Sequence, residues 1–271
     1  MLQQLNSNLP FDECAFTLHS DHVDDDFFIR VALPASYSSS DMSYPVLYVP
    51  DGDYSFGLTA SFMAYVNLGA NFGMGKGIPE MIVVGIGYNR GVIPWLLTRV
   101  RDFTPTEDST FNYDNPNFQV PESGKADVFL DMIQTELKPL LQAEYRVDDS
   151  LSVLATHSMG GVFALHTMLR AEPLFDKYIL ASPFVGWDSK VMFQREQSFS
   201  CDHSALPVEA FFSVTGREPT PPYREEVQDF CNILSGREYE GFQFKLQTYE
   251  EENHFSEWNK VFTDGMEYLF R

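Results

Sequence analysis

Residues 151–165 read LSVLATHSMGGVFAL. The first five are a short apolar run of strand type, and a helix is expected to follow Gly160. Between them, Thr156-His157-Ser158-Met159-Gly160 is a G-x-S-x-G pattern with Thr in place of the first Gly. A strand that turns this sharply into a helix holds the serine in a strained backbone conformation and leaves its hydroxyl exposed. Gly160 and Gly161 let neighbouring segments approach, and the helix they open brings a backbone N–H and a favourable dipole beside a developing oxyanion. Ser158 is therefore the candidate nucleophile; the alternative role is that of a helix N-cap serine.

Working outward, Tyr44–Pro50 (YPVLYVP) and 81–87 (MIVVGIG) are nearly continuous apolar runs, and Lys177–Ser182, Val208–Val214 and Phe242–Tyr249 supply three more. Phe27–Pro34 adds a further strand. Runs apolar on both faces suit central strands of a parallel sheet covered by helices. Between them, Ala126, Phe129, Leu130, Ile133, Leu137, Leu140 and Leu141 form an amphipathic stripe from Ala126 to Tyr145, which Pro139 should kink or restart. Further helices are expected at Tyr223–Leu234 and Ser256–Phe270. Alternating strands and helices define an α/β fold with right-handed crossovers, here the α/β-hydrolase type: a mostly parallel sheet flanked by helices on both faces. Without repeats or a low-complexity linker, residues 1–271 read as one domain.

Active residues in such sheets sit in loops at the carboxyl ends of strands. A serine hydroxyl needs an imidazole to take its proton, and the hydrolase plan orders the groups Ser, acid, His. His254 follows the strand FQFKLQTY and the loop Glu250-Glu251-Glu252-Asn253, where that histidine belongs. His157 adjoins the serine, so its side chain should point away from it. The acid should follow VEAFFSV, where Glu218 is the candidate; Glu225, Glu226 or a Ser-His dyad without an acid stay open. HSDHVDDD at 19–26 lacks a firm ligand pattern and reads as a solvated loop.

The chain carries 39 acidic and 18 basic residues, a formal charge of -21. So negative a surface repels phosphate backbones and anionic membranes, which argues against nucleic-acid or lipid-surface partners. No apolar run approaches the roughly 18 residues of a membrane span. The start, MLQQLNSNLP, lacks the features of a signal peptide, so a cytoplasmic location is expected, with a periplasmic one open if the chain has been trimmed. Cys14, Cys201 and Cys231 have no CxxC spacing and are expected to be reduced thiols in a core. FGMGKG and GIGYNRG lack the spacing of nucleotide-binding loops.

YPVLYVPDGDYSFG, RDFTPT, ELKPLLQAEYRVD, THSMGGVFAL, PLFDKYILASPFVGWD, SVTGRE and EENH occur in one order from Tyr44 to His254. In these stretches the chain resembles the putative esterase family of α/β-hydrolases, within it the enterochelin-esterase-like branch. The resemblance implies a serine esterase acting on a small-molecule ester, with no metal or cofactor. It also implies an oxyanion hole from the backbone N–H groups of Asp53 and Met159. Two departures are visible: Thr156 replaces the usual Gly, and Glu218 lies two rather than three residues after Gly216, with Pro219 at the third place.

Arg90, Arg99 and Arg101, with Trp95 among them, could line a pocket mouth and favour an acidic or catecholate ester; alternatively Arg101 and Asp102 anchor a loop by ion pairs. Arg101, Trp187 and Tyr54 are taken as substrate-binding candidates, with Phe56, Phe72 and Phe255 as further aromatic walls. An acyltransferase or a carbohydrate or thioester esterase on the same scaffold, and a non-catalytic binding module, are the rival functions. The oligomeric state is not legible.

Overall fold

The computed structural model describes residues 10–73, 77–113, 115, 119–218 and 222–271. The first nine residues, part of FGMGKG and Pro219 lie outside them. Eight strands form one sheet: β1 (Asp12–Ser20), β2 (Asp25–Leu33), β3 (Tyr44–Pro50), β4 (Ile82–Gly87), β5 (Val147–His157), β6 (Lys177–Ala181), β7 (Glu209–Arg217) and β8 (Gln243–Asn253). Their order is β1-β2-β4-β3-β5-β6-β7-β8. β1 and β2 pair antiparallel, as do β2 and β4, and the remaining pairs are parallel.

The apolar runs are continuous because both faces of the sheet are covered. Alternate residues enter two cores: Val46, Tyr48, Leu154, Leu180 and Phe212 join one, and Leu47, Val49, Val153, Ile179 and Phe211 the other. Helices α1 (Gly52–Asn71) and α8 (Trp258–Leu269) cover the second core. The first core is covered by α2 (Val92–Phe103), α3 (Ala126–Met132), α4 (Lys138–Glu144), α5 (Met159–Met168), α6 (Trp187–Asp202) and α7 (Tyr223–Arg237). In α6 the first turn is interrupted at Asp188, Ser189 and Lys190, all at positive φ.

Helices α1, α2 and α6 are not placed by the sequence reading, and three other elements and the cysteines differ from it. β1 is an additional edge strand whose exposed residues give it no apolar run to read. The stripe from Ala126 forms a continuous rod whose centre, Ile133–Leu137, is a π-turn leading into α4, with Pro139 in the first turn of α4. The wider turn absorbs the hydrogen bond that proline cannot donate, so the helical run continues to Glu144. Glu250–Asn253, expected as a loop, extends β8. Of the cysteines only Cys231 is in the core; Cys14 and Cys201 are exposed free thiols, because the edge strand and the end of α6 face solvent.

Phe27, Phe103, Phe129 and Phe163 make the aromatic centre of the larger core, with Phe129 within 5.5 Å of each of the other three rings. Phe129→Ala is expected to cost about 3–5 kcal/mol, read as a lowered midpoint in urea with an unchanged slope.

Candidate active site

β5 ends at His157 and α5 begins at Met159, so Ser158 is the whole connection. Its backbone sits at φ 57°, ψ -116°, a region an L-residue adopts only when its surroundings enforce it. Three hydrogen bonds do so: Ser158 N–H donates to Ala181 O at 2.8 Å, and Ser158 O accepts from Gly161 N–H at 2.9 Å and Phe184 N–H at 3.0 Å. Gly161 is required by packing, since a Cβ there would lie 2.5 Å from Pro183 Cβ. Thr156, bulkier than the family's Gly, is accommodated because its hydroxyl donates to Ile179 O at 3.1 Å and Gly160 lies opposite.

His254 follows β8 directly and is buried. Its Nδ1 lies 2.7 Å from Glu218 Oε2. A carboxylate only accepts, so Nδ1 carries the proton and Nε2 is left as the basic nitrogen. Burial outweighs the pull of Glu218 and holds the His254 pKa below its ordinary 6.5, which favours the neutral imidazole at neutral pH. Glu218 Oε1 accepts from Ser182 Oγ at 2.6 Å and from Thr215 N–H and Oγ1, each at 2.8 Å. Burial alone would raise its pKa, but the hydrogen bonds from His254, Ser182 and the Thr215 backbone bring it down to about 2. The short spacing from Gly216 works because the β7–β8 register shifts between Thr215 and Arg217, carrying the acid to the imidazole. Glu225 and Glu226 lie on α7, and neither is the partner of His254.

Asp53 and Met159 lie in the first turns of α1 and α5, at the carboxyl ends of the adjacent strands β3 and β5. First-turn N–H groups have no acceptor within their own helix and face outward along a favourable dipole. The Asp53 carboxylate accepts from Tyr88 N–H at 2.7 Å and Asn89 N–H at 2.6 Å, tying α1 to the end of β4. Only glycine fits at 87, where a Cβ would stand 2.6 Å from that carboxylate.

Other groups depart from the sequence expectation. Arg101, taken as a substrate-binding residue, instead donates to Asp102 at 2.6 Å and to Asp25 at 2.9 Å, the loop anchoring that the sequence also allowed. Arg99 is buried against Asp51, with Nη2–Oδ2 at 2.6 Å, and reaches His157 O at 3.2 Å. Trp187 and Phe56 are fully buried core residues, the former with its indole N–H toward Thr106. Tyr54, Phe72 and Phe255 are exposed, and Tyr54 packs edge-on against Trp95 at 4.7 Å. Large aromatics occur equally in cores and at pocket mouths, so residue type alone could not separate these two sets.

Two further residues carried no sequence signal for a place at the site. Tyr223, read only as a helix start, donates to Ser182 O at 2.6 Å and packs edge-on against His254 at 5.3 Å. Glu257 is wholly buried in the turn before α8. The His157 side chain reaches the His254 backbone, with Nε2 2.6 Å from the main-chain oxygen. His157, His254 and Glu257 bring ligand-type atoms within 4.8 Å of one another, the one such group of three among the described residues.

A nucleophile turn, an acid-oriented histidine and two helix N-termini at the carboxyl edge of a mostly parallel sheet are the parts of an α/β-hydrolase site. The sequence profile of the family described as "Putative esterase" matches residues 20–267, and the chain belongs to that family. It is 31% identical over 157 residues to the ferri-bacillibactin esterase BesA of Bacillus subtilis, covering 58% of this chain and 53% of that one. It is also 31% identical over 179 residues to the siderophore triacetylfusarinine C esterase of Aspergillus fumigatus, covering 64% and 56%. These alignments span just over half the length of the curated relatives. The fold is similar to that of an IroE-like serine hydrolase from Shewanella oneidensis, with a TM-score of 0.81, 26% identity, and 96% and 80% of the two chains covered.

The lowered Glu218 pKa has a consequence for stability. A carboxyl that titrates near 4.5 when unfolded and near 2 when folded contributes stability above pH 4.5 that is lost as the pH falls toward 2. Urea unfolding at stepped pH should show this acid loss in the wild type and a smaller one in Glu218→Gln.

Proposed function

We propose that this chain hydrolyses carboxylic esters through an acyl-enzyme on Ser158, and that its substrates are siderophore-type esters. The observation that carries the reading is the Glu218–His254 hydrogen bond at 2.7 Å, which leaves a basic Nε2 on a buried histidine at the edge where Ser158 is held strained. His254 takes the Ser158 proton as Oγ attacks the ester carbonyl, and the imidazolium that forms is stabilised by the Glu218 carboxylate. The tetrahedral oxyanion is received by the Met159 and Asp53 N–H groups. Two donors in a water-poor site each contribute about 2.7–4 kcal/mol to lowering the barrier. His254 then protonates the leaving alcohol, and a water molecule, activated by the same nitrogen, releases the acyl group.

The substrate class is supported by the relatives named as siderophore esterases. Exposed aromatics beside the two halves of the machinery, Tyr54 next to Asp53 and Phe255 next to His254, suit a large ring-bearing ester. The sheet and both its helical layers act as one catalytic unit in this reading. Two exposed unpaired thiols, Cys14 and Cys201, fit a reducing compartment such as the cytoplasm.

Hydrolysis of p-nitrophenyl acetate and butyrate tests the chemistry. Ser158→Ala and His254→Ala are expected to abolish turnover above background, and a fluorophosphonate should label Ser158 in the wild type. A wild type that neither turns over nor labels would falsify the catalytic reading. The acid limb of kcat/KM should inflect below pH 6.5, because His254 must be neutral to act and burial lowers its pKa. Glu218→Gln removes a charge that raises that pKa, so its residual activity should inflect lower still.

A further inference from the structure

His254 is held at two places. Its ring Nδ1 is on Glu218, and its main-chain oxygen lies 2.6 Å from His157 Nε2, which must carry a proton to donate there. The same His157 nitrogen is 3.5 Å from Glu257 Oε1, a buried oxygen with no hydrogen-bond partner. The other oxygen of Glu257 accepts from Ser213 Oγ at 3.0 Å, and Ser213 Oγ accepts from Ser182 N–H at 3.3 Å. Ser182 Oγ in turn donates to Glu218. The chain of contacts closes on itself: His254 ring, Glu218, Ser182, Ser213, Glu257, His157, His254 carbonyl.

A buried carboxylate is unfavourable unless hydrogen-bonded or paired, and Glu257 is wholly buried with Oε1 unfilled. Two imidazoles stand near it, His157 with Nε2 at 3.5 Å and His254 within 4.8 Å. The negative charge beside His157 Nε2 favours a proton on that nitrogen, and the proton is given to the His254 carbonyl. Orientation matters because Nδ1 alone leaves a ring free to swing about its bond to Glu218; a second tether on the main chain fixes where the ring pivots.

Resting on the serine-esterase reading above, we propose that His157, through its hydrogen bond to the His254 main-chain oxygen, is a positioning residue for His254. It never touches the ester. It holds the His254 backbone in the place from which Nε2 is to take the Ser158 proton, so the residue preceding the nucleophile serves the base.

The test compares wild type, His157→Leu and His157→Gln in p-nitrophenyl acetate turnover and in the rate of fluorophosphonate labelling of Ser158. Leu keeps the bulk and loses the donor; Gln places an N–H near the position of Nε2. Misplacement of a reacting group by about 1 Å costs on the order of 100-fold. His157→Leu should therefore lose about 100-fold in both kcat and labelling rate with KM unchanged, and His157→Gln should recover most of that loss. Circular dichroism checks that the variants are folded. If His157→Leu does not fold, His157→Asn, whose amide is too short to reach the carbonyl, takes its place. Wild-type kcat in a variant lacking the donor, or a Gln variant as slow as Leu, overturns the proposal while leaving the esterase reading standing. A wild type without turnover or label removes both.

Discussion

The site depends on one strained residue. Holding Ser158 at φ 57°, ψ -116° costs about 1–3 kcal/mol, which must be offset by its neighbours. The offset comes from strand β6, whose last residue accepts the Ser158 N–H, and from the turn after it, whose Phe184 N–H donates to Ser158 O. The elbow is thus a property of three segments: β5 that delivers the serine, α5 that leaves it, and the β6 turn that clamps it. Where small residues are needed, at Gly161 against Pro183 and Gly87 against Asp53, the reason is the closeness of a neighbouring backbone or carboxylate.

Around that elbow the fold buries charge sparingly and in pairs. Asp51, itself at positive φ, closes β3 and holds Arg99, which also donates to the His157 carbonyl at the end of β5. Trp95 adds its indole N–H to the same carboxylate at 2.9 Å. This buried pair therefore braces the two strand ends from which α1 and α5 start. Breaking such a pair from one side leaves an uncompensated buried charge, so it fixes geometry whatever its net energy. Glu218 follows the same logic with hydrogen bonds in place of a cation, accepting from Ser182, Thr215 and His254.

Much of this was legible along the chain. Ser158, His254 and Glu218 lie at strand ends; the apolar runs located the strands, although β7 and β8 continue past them to Arg217 and Asn253. Those runs were readable because residues buried on both faces leave no polar alternation. β1 was not legible, because an edge strand exposed on most of its residues has no such run. The π-turn before Pro139 was not legible either, since a helical stripe looks the same whether the turn is widened or broken.

The arginines and aromatics mark the boundary most clearly. Composition and order could place Arg99, Arg101, Trp187 and Tyr54 near a possible pocket. Whether each met solvent, a carboxylate or the core depended on which distant segments arrived beside it, Asp51 for Arg99, Asp25 for Arg101, Thr106 for Trp187. The sequence by itself determined the α/β layering, the elbow and the order of Ser158, Glu218 and His254 along the strand ends, because these follow from local hydrophobic pattern and turn chemistry. Tertiary structure alone decided the partners of His157, Tyr223 and Glu257, because those contacts join residues that only strand order and register bring together.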